Sequence, residues 1–272
     1  MTLDNTVANT TVDSLITGTG GVIKTGANTI TLSASNTYTG GTTITQGTLA
    51  VSSDANLGDA AGALTLSGGT LQATGTFTSN RTVTITGAST IDVTGANNLT
   101  LTNLTGGSFT KTNTGTLTLS GTNYGGDVTI AAGGGTLSLA GNALTAAANI
   151  TTLGSVIDYA DGVNNPATIT LNSNTTQLQV LAGAAATQSG DISEIGGPRP
   201  LEKIGDGTLT LSGNNSYTGL TTITGGTLVA ANANALGTTA GGTVVANGAN
   251  LTIANVAIGA EAVTLNGGNA LT

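Results

Sequence analysis

Glu202-Lys-Ile-Gly-Asp-Gly-Thr-Leu-Thr-Leu-Ser-Gly-Asn-Asn-Ser-Tyr-Thr-Gly-Leu-Thr-Thr-Ile-Thr-Gly-Gly-Thr-Leu-Val229 decides how this chain reads, because the same phrase runs from Lys24 to Val51 and again from Lys111 to Leu139. Lys24, Lys111 and Lys203 stand 14, 13 and 14 residues before Tyr38, Tyr124 and Tyr217, and the tyrosines recur after 86 and then 93 residues. A period that long must itself be subdivided into smaller stacking units. The spacing predicts one domain over residues 1–272, built of three long repeats (about 20–105, 106–198 and 199–272) after an irregular, polar segment at 1–19 with at most one weak strand.

Inside each period, apolar and polar residues alternate over four or five positions, as in Thr29-Ile-Thr-Leu32, Thr48-Leu-Ala-Val51, Thr70-Leu-Gln-Ala73, Thr90-Ile-Asp-Val93, Thr116-Leu-Thr-Leu119 and Ala167-Thr-Ile-Thr-Leu171. That is the period-2 signature of half-buried strands. Gly- and Asn-rich corners such as Asn36-Thr-Tyr-Thr-Gly-Gly41 separate them, and these residues tolerate the backbone angles of tight turns. No segment has helical periodicity to act as a crossover. Ile30, Leu49, Leu71 and Ile91 sit 19, 22 and 20 residues apart, the length of one coil. The fold class expected is all-β, a parallel β-helix (β-solenoid) of about a dozen coils, with strands of successive coils about 4.8 Å apart.

Composition agrees with a thin, aliphatic core. Charged residues are 7% and aromatics 2%, with 43 glycines, no tryptophan and two phenylalanines. Disorder is the competing reading of a Gly/Thr/Asn-rich chain, but the repeated alternation and only three prolines argue against it. A net charge of −8 with five Lys plus Arg argues against nucleic-acid binding, which needs a basic surface. With no cysteine and no histidine, thiolate and imidazole chemistry are excluded. No apolar run is long enough to span a bilayer, so no membrane insertion by this segment is expected, and no signal peptide follows Met1.

The repeated residues resemble the autotransporter-associated β-strand repeat of bacterial autotransporter passenger domains. Lys203-Ile-Gly205, Gly207-Thr-Leu-Thr-Leu-Ser212, Asn215-Ser-Tyr-Thr-Gly219 and Thr222-Ile-Thr-Gly-Gly-Thr-Leu228 carry the resemblance, with their equivalents in the other two copies. The second copy departs from it at Asn113, which stands where the others have Gly26 and Gly205. The resemblance implies a right-handed parallel β-helix, secreted and held at the bacterial surface by a membrane barrel elsewhere in a longer parent protein.

Candidate chemistry is sparse. Asp158 and Asp161 are the carboxylate pair to test for polysaccharide cleavage, set against two acids on a solvated loop. Calcium at Asp158, Asp161 or Asp206 lacks the glycine-aspartate repeat of calcium-loaded β-rolls. We therefore expect no catalytic residue, no cofactor and no metal. Lys24, Lys111 and Lys203 are expected at one corner, near a carbonyl or an acid such as Asp206 or Glu202, gating strand ends by charge. Tyr38, Tyr124 and Tyr217 are expected to lie over glycine turns with wet hydroxyls, with sugar stacking as the functional alternative. Ile157-Asp-Tyr-Ala-Asp-Gly162 with Pro166 reads as a protruding loop, and Pro198, Arg199 and Pro200 as an exposed contact corner. Thr-x-Thr pairs such as Thr29/Thr31 match the arrays of ice-binding solenoids, though β-propensity alone explains them. The reading at this stage is a non-enzymatic extracellular stalk or adhesin scaffold whose partner is a surface receptor or glycan. The alternatives are a self-assembling filament subunit stacking head to tail, and a carbohydrate-active or ice-binding β-helix.

Overall fold

The computed structural model describes residues 1–173 and 175–271. They form short parallel strands joined by corners, and the helical segment among them is a single 3-10 turn at Asp54–Leu57. The chain divides into two compact units, 1–129 and 130–272.

In the first unit, one ladder stacks Thr2–Asp4, Val22–Thr25, Thr42–Ile44, Leu64–Leu66, Val83–Ile85 and Leu104–Gly106 in that order. A second stacks Thr10–Val12, Thr29–Leu32, Thr48–Val51, Thr70–Ala73, Ser89–Val93 and Phe109–Thr112. A third holds Phe77–Ser79, Asn98–Leu101 and Thr116–Ser120. Each ladder pairs a strand with one from the next coil, so this is a parallel β-solenoid.

The register carries the coil length read from the sequence. Ile30 lies opposite Leu49, Leu49 opposite Leu71, and Leu71 opposite Ile91. All four are buried and form one inward row. Each such fully buried side chain contributes roughly 1.5–3 kcal/mol relative to exposure. Stability is therefore spread along rows of aliphatic side chains, as a core with almost no aromatic residues requires.

The second unit repeats the design. Thr136–Ala140, Val156–Tyr159, Thr176–Gln179, Leu201–Ile204, Thr221–Ile223, Thr243–Ala246 and Val263–Asn266 form one ladder. Another contains Asn164–Asn165, Ala185–Gln188, Thr208–Leu211, Thr227–Ala230, Asn250–Ile253 and Asn269–Leu271.

Two expectations are corrected. Residues 1–19 are not irregular: Thr2–Asp4 and Thr10–Val12 pair in parallel with Val22–Thr25 and Thr29–Leu32. Their polar composition hid them, because Leu3 is the sole buried apolar side chain in those two strands. Nor does 157–162 protrude. Ile157 and Tyr159 are buried with Asp158 outward between them, so the alternation of an inner-ladder strand holds there despite the two acids. Pro166 follows the two-residue strand Asn164–Asn165, at a position where no ladder donor is required of it.

Candidate functional site

The lysines do not guard strand ends. Strand alternation places Val22 and Lys24, Phe109 and Lys111, and Leu201 and Lys203 on inward faces. Lys24 stacks between Leu3 and Ile44, Lys111 on Ile91, and Lys203 between Leu178 and Ile223. All three are buried. The alkyl stem of each completes an aliphatic row, and its ammonium reaches the carbonyls of the following corner. Lys24 Nζ donates to the carbonyls of Thr25 (2.5 Å), Gly26 (2.7 Å) and Gln46 (3.2 Å). Lys203 Nζ repeats this with Ile204 (2.9 Å), Gly205 (2.7 Å) and Gly225 (3.2 Å), and Lys111 Nζ lies 2.7 Å from the Gly115 carbonyl and 3.2 Å from that of Asn113. Burial lowers all three pKa values, Lys111 and Lys203 to about 8, while Asp4, Asp92 and Asp206 respectively oppose the shift.

This corner needs a left-handed residue. Gly26 and Gly205 supply it at φ 72° and 75°, and Asn113 at φ 64°. Asparagine tolerates that region better than other residues with a Cβ, so the second copy keeps the lysine cap despite its departure.

Nor do the lysines share one corner. Within the first unit, Lys24 belongs to the first ladder, in register with Ile44, Leu66 and Ile85, whereas Lys111 belongs to the second, in register with Ile91 and Leu71. The second copy of the phrase is turned by one face relative to the first. Its Thr116–Ser120 accordingly lies in the third ladder, where Thr29–Leu32 of the first copy lies in the second.

The tyrosines are buried rather than wet, which removes them as sugar-stacking platforms. Tyr38 Oη is 2.6 Å from Thr42 Oγ1 and Tyr217 Oη is 2.8 Å from Thr221 Oγ1, while Tyr124 donates to the Gly107 carbonyl. Burial raises the pKa of each. Tyr159 is a fourth buried ring, donating to Gln188 Oε1 at 2.9 Å.

The sequence reading missed Arg81. Its guanidinium forms a double bond pair with the Asp54 carboxylate, both contacts 2.9 Å, and also donates to the carbonyls of Asp54, Asp59 and Gly62. Arg81 is thereby buried and clamps the loop 53–62. Nothing in the local alternation marks it, because its partners, the Asp54 carboxylate and main-chain carbonyls, lie in the preceding coil.

The candidate acids are separately employed. Asp158 accepts from Ser138 Oγ at 2.8 Å, Asp161 from the Ala185 amide at 2.9 Å, and Glu202 from Gln177 Nε2 at 2.8 Å. Asp158 thus stitches its strand to the preceding coil and Asp161 its turn to a later one. Asp206 is exposed. Among the described residues no three His, Cys, Asp or Glu side chains gather as a metal site.

At the 194–200 corner, Pro198 is exposed while Arg199 and Pro200 are half-buried. Glu194 Oε2 accepts the Arg199 amide at 2.7 Å, its Oε1 accepts the Thr218 amide at 2.9 Å, and Arg199 Nε donates to the Ile195 carbonyl at 3.1 Å. With the three lysines and Arg81 buried, Arg199 is, among the described residues, the one cationic side chain left at the surface of a chain of net charge −8.

The outer faces carry hydroxyls. Thr29, Thr48, Thr70, Thr90 and Thr110 stand in register along the second ladder. The parallel row two residues on is broken, reading Thr31, Ala50, Gln72, Asp92, Thr112.

A family model described as the passenger-associated-transport repeat matches residues 22–51, 109–139 and 201–230. Over 79 residues, 29% of this chain, the sequence is 47% identical to the adhesin BmaC autotransporter of Brucella suis biovar 1 (strain 1330), of which the match covers 2%. No solved structure matches. Among the described residues no helix is long and apolar enough to cross a membrane. Three copies of the passenger-associated-transport repeat, each closed by its own buried lysine, thus lie on a parallel solenoid, part of whose sequence is similar to an autotransporter adhesin.

Proposed function

We propose that this chain is a non-enzymatic, surface-displayed β-solenoid that acts as the stalk and adhesive scaffold of an autotransporter-like protein. The similarity to the Brucella adhesin carries this reading, and the allocation of polar side chains supports it. The lysines and Arg81 cap carbonyls inside the coils, and the outward acids Asp158, Asp161 and Glu202 bond to neighbouring coils. Among the polar side chains facing solvent, threonine and asparagine are the commonest, a surface suited to hydrogen-bonded contact. The exposed Pro198 beside Arg199 extends that surface as a further contact point.

The test is display of the chain on a non-adherent bacterium through a heterologous outer-membrane anchor, with attachment to host cells or coated surfaces counted against the anchor alone. Attachment should rise with the chain present. Attachment no higher than the anchor's, or polysaccharide cleavage that Asp158→Asn and Asp161→Asn abolish, would overturn the reading.

A further inference from the structure

The first ladder of unit 1 ends at Leu104–Gly106, whose outer edge has no strand against it among the described residues. The next coil crosses this corner as a loop. It is held there by Tyr124 bonding to the Gly107 carbonyl, by the Asp127 amide donating to Ser108 Oγ at 3.2 Å, and by the Phe109 amide donating to the Asp127 carbonyl at 3.1 Å. Between the first and second ladders this leaves a groove of about 530 Å³, spanning residues 86–90, 107–110 and Thr129.

Gly87, Ala88 and Gly107 leave its floor without bulk, and Phe109 is too buried to offer a ring face. No charged side chain lines it. Thr90 and Thr110 are opposed in register, one coil apart. Among the described residues the hydroxyls of Thr90, Thr110 and Thr129 bond to nothing else in the protein, so their donor and acceptor capacity is open to a ligand. Ser108 Oγ already accepts from Asp127 and keeps its proton to donate.

We propose that this groove binds an extended, uncharged polysaccharide chain running along the stacking direction of the coils, with Thr90, Ser108, Thr110 and Thr129 hydrogen-bonding its hydroxyls. The inference rests on the adhesive reading above and names its ligand class. The acidic surface, from which four of the five cationic side chains are withdrawn, disfavours polyanions. The exposed apolar contribution of the groove's lining is the single methyl of Ala88, which disfavours an amphipathic helix, a ligand that needs larger apolar anchors. A hydroxyl row that repeats at the interstrand spacing of about 4.8 Å meets a ligand whose own hydroxyls repeat at a similar interval, and an extended pyranose chain is such a ligand.

Isothermal titration of the whole chain with neutral cello- and chito-hexasaccharides, and with a uronic-acid hexasaccharide, tests this. Neutral hexamers should bind and the charged one should not. Thr90→Val with Thr110→Val removes two hydroxyls at nearly constant volume and should weaken binding at least tenfold with an unchanged circular dichroism spectrum. Ala88→Trp, on an exposed position, should block the groove and abolish binding. No binding of any neutral hexamer, equal binding of the charged one, or full binding by both variants would overturn the proposal. A chain that promotes attachment yet binds no neutral hexamer sinks this inference and leaves the adhesive scaffold standing; one that binds hexamers but promotes no attachment does the reverse.

Discussion

The corners around Tyr38 and Tyr217 are built alike, and the corner around Tyr124 is not. At the first two, Asn36 and Asn215 are buried, each accepting from an amide of the previous coil (Ile16 and Ile192, both 2.8 Å) and donating to a carbonyl of the next (Asn56, 2.7 Å, and Ala235, 2.6 Å). One side chain thus joins three coils. In the second copy the residue between Asn and Tyr is missing, Asn123 is exposed at φ 47°, and Tyr124 turns to a main-chain carbonyl. Val128 stands at the strand position that Thr42 and Thr221 fill, so no hydroxyl awaits the ring. With that residue absent, the three-coil stitch gives way to a loop, held to Gly107 and Ser108 at one end of the hydroxyl-lined groove. A structural tie was exchanged for an accessible surface.

The largest expected effect lies at the Arg81 clamp beside the Tyr38 corner. Arg81→Met leaves the Asp54 carboxylate and several carbonyls without a donor and should lower stability by about 3–5 kcal/mol, read from the urea midpoint at constant slope. A loss below about 1 kcal/mol would show that loop 53–62 holds itself. Next come the stitches: Asn36→Ala and Asn215→Ala should each cost about 2 kcal/mol, the range for orphaning buried partners. Asn123→Gly should fall within about 0.5 kcal/mol of the parent, because the side chain is exposed and glycine takes positive φ freely. Equal losses at all three positions would erase the contrast. Tyr38→Phe and Tyr217→Phe should cost about 1 kcal/mol each, the worth of one hydrogen bond.

The smallest effect is a pH profile. Burial lowers Lys111 and Lys203 to about 8, so between that pH and about 10.4 the unfolded chain holds protons the folded one has released. Stability on this account rises with pH through that window. The buried tyrosines, raised above their usual value, act oppositely: the unfolded chain ionises first, and stability falls above about pH 10. Melting temperature should therefore climb modestly from pH 8 and turn down near pH 10, and the climb should shrink in Lys111→Met and Lys203→Met.

Coil length was legible because Ile30, Leu49, Leu71 and Ile91 keep both hydrophobicity and spacing, and stacking needs nothing more. The inward lysines were half legible. Val22-x-Lys24, Phe109-x-Lys111 and Leu201-x-Lys203 place them on the buried face by alternation, but charge on a short strand also reads as protection of its ends. The turn of the phrase by one face was hidden, because strand alternation fixes inside from outside and carries no label for which ladder a strand joins. From Lys24 the register runs through Ile44, Leu66 and Ile85 to Gly106, and Lys111 comes only after the next corner. The Arg81 clamp and the groove depend on main-chain atoms of neighbouring coils, which no local pattern records.

Parallel, in-register stacking of consecutive coils is tested most directly by disulfide trapping in this cysteine-free chain. Thr70 and Thr90 are register partners on adjacent coils, and Thr110 lies one coil further on. Directly opposed positions fall within the Cα separation a disulfide spans, and positions two coils apart, roughly 9–10 Å, do not. On mild oxidation of the folded protein, Thr70→Cys with Thr90→Cys should crosslink nearly completely, while Thr70→Cys with Thr110→Cys should stay reduced. Crosslinking of the second pair but not the first would contradict the stacking on which the lysine caps, the stitched corners and the groove all depend.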